Sequence, residues 1–110
     1  MKLFGLFISL LLSTAGFSQL SGQIEIDERP IVNDISYTLE MKERGKLVFD
    51  IAVDVNGKVT SCEWNKIEST INNYRYVHTA KNRILSELLF EAGNRYPTFH
   101  RGQITITPTP

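Results

Sequence analysis

The stretch Gly45-Lys46-Leu47-Val48-Phe49-Asp50-Ile51-Ala52-Val53-Asp54-Val55-Asn56-Gly57-Lys58-Val59 decides the fold. Leu47, Phe49, Ile51, Val53 and Val55 alternate with Lys46, Val48, Asp50, Ala52 and Asp54, so an extended chain places the odd-numbered side chains on one, inward, face. Asn56-Gly57 follows at once, and both residues tolerate the positive φ that a tight hairpin turn requires. The return strand runs from Lys58 to about Ile67 with a less regular pattern. Val59 is apolar, Ser61 and Glu63 in the same register are not, and Cys62 and Trp64 occupy the opposite one. A bulge near Thr60-Ser61 would bring Val59, Cys62 and Trp64 to the same core.

Downstream, Ser69 to Asn73 is a polar loop in which Asn72 or Asn73 caps a following helix. Val77, Ala80, Ile84, Leu85 and Leu88 recur at steps of three and four, opposite a solvated face of Lys81, Asn82, Arg83, Ser86 and Glu87. The helix is expected to end near Leu89 to Ala92, with Gly93-Asn94 closing it. A loop containing Pro97 leads to Gly102, which opens a last strand where Ile104 and Ile106 alternate with Gln103, Thr105 and Thr107. Upstream, Ile24 and Ile26 alternate as in a short strand that Pro30 ends. Ile35, Tyr37, Leu39 and Met41 recur at period two in a stretch that could also make a helical turn, and it is read as a lead-in that packs on the domain. The order strand, strand, helix, strand predicts an α+β fold: a three-stranded antiparallel sheet with one helix on one face.

The chain of 110 residues is the size of one domain. Its 42% hydrophobic and 22% charged residues fit a folded soluble domain rather than disorder. Lys2 followed by apolar Leu3 to Leu12 and by Gly16-Phe17-Ser18 has the charge, core and small-x-small pattern of a secretory signal peptide, with Gln19 as the new N-terminus. The apolar stretch is short of the roughly 20 residues that a spanning helix needs, and no cysteine adjoins the cut to carry a lipid. The expected organisation is a signal peptide at 1–18, a lead-in at 19–44 and the domain at 45–110, located in the periplasm or secreted. Removing 1–18 takes away Lys2 alone among the charged residues, leaving 11 basic against 12 acidic side chains. That balance attracts neither nucleic acid nor an anionic membrane. Cys62 is the only cysteine, so no disulfide can form within the chain.

Other chemistries find little support in the spacing. Cys62, His78 and His100 are the only thiol and imidazoles, but Cys62 lies mid-strand with no glycine-rich oxyanion turn after it. His78 has no ligand at i+3 or i+4, where Lys81 and Asn82 stand, and His100 is isolated in a loop, so both are expected to be solvated. No catalytic, cofactor-binding or metal residues are assigned, and no cofactor is expected. Trp64, Tyr74, Tyr76, Tyr96 and Phe99 could stack on sugars, but Trp64 and Phe99 are better read as core or rim packing. Arg75, Arg83, Arg95 and Arg101 share their surface with Glu87 and Glu91.

The hairpin Gly45 to Val59, the loop Ser69-Thr70-Ile71, the aromatic Phe90 and the closing Gly102-Gln103-Ile104-Thr105-Ile106 occur in the order and spacing of the TonB C-terminal domain. The chain from about Arg29 to Thr107 therefore resembles the Bacteroidetes-type, energy transducer TonB-like members of that family, in a short stand-alone form. The resemblance implies a periplasmic, non-enzymatic protein-binding module. In that family the last strand, here Gln103, Ile104, Thr105, Ile106 and Thr107, forms a sheet edge that takes up a peptide from an outer-membrane TonB-dependent receptor. A homodimer through the same free edge is the other assembly it admits. A transducer also carries a membrane helix and a long Pro-rich segment, whereas residues 19–45 hold a single proline, Pro30. At ~3.5 Å per residue they would not cross a periplasm and also pack on the domain. An exported adaptor, inhibitor or structural subunit of the same fold is the alternative, with no role in TonB-dependent transport.

The intact mass of the exported protein is expected to correspond to a chain starting at or near Gln19. A membrane-bound species retaining 1–18 would contradict the cleavage reading.

Overall fold

The computed structural model describes residues 17–35 and 44–107. Strand β1 (Phe17–Ser21) is followed by a single helical turn, α1 (Gln23–Ile26), and a short strand, β2 (Ile31–Asn33). The predicted hairpin is formed by β3 (Leu47–Val53) and β4 (Val59–Trp64). The long helix α2 (Tyr74–Glu87), a two-residue strand β5 (Leu89–Phe90) and the last strand β6 (His100–Thr107) complete the order.

Two antiparallel sheets result, one of four strands in the order β1-β6-β3-β4 and one of two strands, β2-β5. The expected fold of three strands and one helix is thus corrected to six strands and two helices among the described residues. The added pieces are two to five residues long, too short for hydrophobic periodicity to register. Ile24 and Ile26 belong to the turn α1 instead of a strand: Ile24 is fully buried and Ile26 is 69% exposed. Of the period-two stretch, Ile35 is buried, while Tyr37, Leu39 and Met41 lie outside the described residues.

The hairpin behaves as its sequence dictates. Leu47, Phe49, Ile51 and Val53 are buried and Asp50 is exposed; Val48, on the other face, is buried as well. Ala52 pairs with Ser61 and Val53 with Val59, so Thr60 is the extra residue of a bulge. Beyond it Val59 and Cys62 are buried and Trp64 packs against the core. Asn73 caps α2 by accepting from the Arg75 N–H at 3.0 Å, satisfying one of the helix's orphan donors. The face of Val77, Ala80 and Ile84 meets the inner face of the sheet, where Phe49, Ile104 and Ile106 are fully or almost fully buried. The helix stops at Glu87 because Leu88 turns extended, and the chain continues straight into β5. There the Phe90 N–H donates to the Gly57 carbonyl at 2.8 Å and clips the small sheet to the hairpin turn.

Phe49→Ala or Ile51→Ala is expected to cost about 2–5 kcal/mol, the range for emptying a buried aliphatic or aromatic site. Asp50→Ala, at an exposed position, should change stability by about 0.5 kcal/mol or less. Urea unfolding that ranked Asp50→Ala as the most damaging would contradict this strand register.

Candidate functional site

Gln103, Ile104, Thr105, Ile106 and Thr107 all lie on β6. Ile104 and Ile106 are buried in the core, and Gln103, Thr105 and Thr107 are half-buried on the opposite side. Backbone direction follows from Val48, whose N–H donates to the Ser69 Oγ at 2.8 Å and whose carbonyl accepts from the Asn65 N–H at 2.8 Å. Both groups point to the β4 side, so alternation turns those of Phe49 toward β6. Phe49 is opposite Ile104, which leaves the N–H and C=O groups of Gln103, Thr105 and Thr107 directed away from β3.

Those groups are not free. β1 lies along them in antiparallel register, with Phe17 opposite Thr107, Gln19 opposite Thr105 and Ser21 opposite Gln103. The last strand, expected to be the sheet edge, is the second strand in, because Phe17–Ser21 adds outside it. Leu20, opposite Ile104, reaches the core cluster, whereas Gln19 and Ser21 are exposed. Main-chain bonds are worth only about 0.5–1.5 kcal/mol each net of water, and a half-buried Leu gives less than the roughly 1.5–3 kcal/mol of full burial. Among the β1 residues whose side chains are described, Leu20 alone adds core contact to the main-chain pairing.

On the outer face of the sheet an open concavity of about 580 Å³ adjoins the β1–α1 corner, with Gln23, Asp50, Glu63, Phe99, Arg101 and Gln103 in its lining. Gln103 is held in place there: its Nε2 donates to Asp50 Oδ1 at 2.9 Å and to Glu68 Oε2 at 3.3 Å. Phe99, 68% exposed, stands at this rim and not in the core.

The start of β6 is anchored by a polar group that the sequence did not reveal. His100, expected in a solvated loop, is the first residue of β6 and fully buried. Its Nε2 is 2.7 Å from Asp27 Oδ2 and its Nδ1 is 3.2 Å from Arg29 Nη1. A guanidinium only donates, so Nδ1 accepts and Nε2–H donates to the carboxylate, which assigns the neutral imidazole. Arg29, 3% exposed, also donates from Nε to the Glu91 carbonyl and from Nη2 to the Asp54 carbonyl, at 2.9 and 2.8 Å. Tyr96 stacks on His100 with 5.5 Å between ring centres, and the Arg29 guanidinium lies 4.1 Å over the Tyr96 ring. Burial lowers the guanidinium's pKa, opposed by Tyr96, Asp54 and Glu91. This bolt fixes the end of the strand that β1 covers.

The remaining residues weighed from the sequence stay apart. Cys62 is buried, and burial pushes its thiol up to about 12, with Lys81 opposing, so thiolate chemistry is suppressed. His78 is exposed on α2. Among the described residues no group of three or more His, Cys, Asp or Glu side chains is placed to hold a metal, and no helix is long and apolar enough to cross a membrane. Trp64 donates from Nε1 to Ser69 Oγ at 3.0 Å and meets Tyr74 edge-on. Arg83 and Arg95 pair with Glu87 and Glu91, which uses up part of the basic surface. No family model, curated protein or solved structure matches the chain.

The hydrogen bond from His100, and secondarily that from Gln23, holds the Asp27 carboxyl below its ordinary 3.8. A folded-state pKa below the unfolded one gives stability that is complete above about 3.8 and is lost as pH falls through the lower folded value. Asp27→Asn should therefore be less stable than the unmodified protein at pH 7, and the gap should close on acidification through that range. A gap in urea midpoint that stayed constant down to pH 2 would contradict the role given to this carboxylate.

Proposed function

We propose that this domain is an exported, non-enzymatic binding module that takes up an extended segment of another protein as an additional strand on β6. One observation supports the reading most directly. The outer side of β6 already carries a short extended segment, β1, whose pairing is antiparallel and unbroken over five residues. With β1 displaced, this side of β6 would take such a segment, using the outward groups of Gln103, Thr105 and Thr107 for affinity and alternate side chains for selectivity.

The chemistry of the partner follows from β1. The segment should be uncharged, with an apolar side chain opposite Ile104 in the place of Leu20 and small or polar side chains opposite Thr105 and Gln103. An exposed peptide of an outer-membrane receptor, the class implied by the resemblance to TonB C-terminal domains, is the partner this reading favours. Gln103, held by Asp50 and Glu68, would present a fixed polar surface to the incoming strand.

A synthetic copy of residues 17–21 is the probe. Its binding, followed by amide chemical shifts, should perturb Gln103, Thr105 and Thr107 before any residue of β4. Thr105→Pro deletes one outward donor while sparing the β3 ladder, and should weaken the peptide at least tenfold, far more than Thr105→Ser. Circular dichroism establishes that both variants are folded. A folded Thr105→Pro protein that binds as well as the unmodified one would overturn strand addition on β6.

A further inference from the structure

We infer that β1 is a displaceable strand that occupies the partner site in cis and swings away at Gly22; the inference rests on the reading of β6 as a strand-accepting edge. On the far side of Gly22 the chain is fastened. Ile24 is fully buried and packs so closely on Gly102 that a Cβ there would lie 2.9 Å from Ile24 Cδ1. Asp27 and Arg29 follow in contact with His100. On the near side, among the described side chains of β1, Leu20 packs against the core while Gln19 and Ser21 are exposed.

Gly22 itself has φ +86°, and a Cβ would meet Gly102 Cα at 3.0 Å. The chain thus changes direction between the border strand and a fixed turn at a glycine, the residue type that adopts the widest range of backbone conformations. Rotation there removes β1 without disturbing Ile24, Arg29 or the helix. A cut at the expected Ser18–Gln19 bond would also fall inside β1. It would leave three of its five register pairs, those of Gln19, Leu20 and Ser21.

A strand joined to its own site by so short a connection competes at an effective concentration of about the millimolar range. An external segment then binds with its affinity reduced by the fraction of molecules in which β1 has left. The partner recognised is accordingly one that matches the pattern of Gln19-Leu20-Ser21 and outcompetes it.

The test uses three forms of the full chain and the synthetic copy of residues 17–21. Leu20→Asp places a charge against the core and should release β1, raising peptide affinity about tenfold or more. Gln19→Cys combined with Thr105→Cys, at a directly opposed pair with Cα atoms ~5.5 Å apart, lies within the span of a disulfide. Oxidised, it should abolish binding, and reduction should restore it. Equal affinity in the locked, unmodified and Leu20→Asp forms would overturn the inference. Hydrogen exchange separates it from the reading beneath it. The outward amides of Gln103, Thr105 and Thr107 should exchange faster than those of Ile104 and Ile106 in the unmodified protein, and faster still in Leu20→Asp. If they do so while no form binds the peptide, β1 is displaceable and strand addition fails. If they exchange only with global unfolding, β1 is a fixed strand and the inference fails.

Discussion

The buried guanidinium of Arg29 is the point on which the rest of the structure depends. It joins four segments distant in sequence: the turn after α1, the end of β3 at Asp54, the chain leaving β5 at Glu91 and the start of β6 at His100. Among the described residues its charge is met by two carbonyls, an imidazole nitrogen and the face of Tyr96, with no carboxylate at ion-pair distance. Desolvating a cation is expensive, so such a group contributes little net stability but demands that every partner be in place. With the small β2-β5 sheet, the hairpin tip and the base of β6 in this arrangement, Nε, Nη1 and Nη2 each have an acceptor.

The parts of the fold legible in the sequence are those whose burial repeats within the element. β3 shows period two over seven residues, α2 shows steps of three and four, and Ile104 with Ile106 marks β6. Even the bulge at Thr60 was legible, because Val59, Cys62 and Trp64 need one extra residue to share a face. What was not legible depends on partners far along the chain. His100 gave no local sign of burial, since Asp27 and Arg29 lie 73 and 71 residues away. The small-x-small pattern of Gly16-Phe17-Ser18 overlaps the start of Phe17–Ser21 and hides that segment's capacity to pair. The last strand was located by its own alternation, while its place at the edge came from the resemblance and is overturned by β1 outside it, which no local pattern foretold.

The two borders of the main sheet differ in how readily each would pair with a further strand. β4 is short, bulged at Thr60 and carries Glu63 beside exposed Ser61, and Leu89 bridges to Lys58 at its start. These features discourage further pairing. The β1 border has no charge and no proline between Phe17 and Ser21. Chemistry that would admit a foreign strand is concentrated on that side, and the self-occupation of β6 keeps it covered.

The pairing of β1 with β6 also brings the two ends of the described chain side by side. Phe17 and Thr107 are 90 positions apart, yet they are opposite one another in the sheet. The hairpin β3-β4 closes a short loop and can form early, whereas the β1 border waits for the last residues of the chain to arrive. Until then β3 has only β4 beside it and β1 has no neighbour. A chain carried across a membrane from its N-terminus would keep this sheet incomplete during transit and close it only when the final strand had emerged.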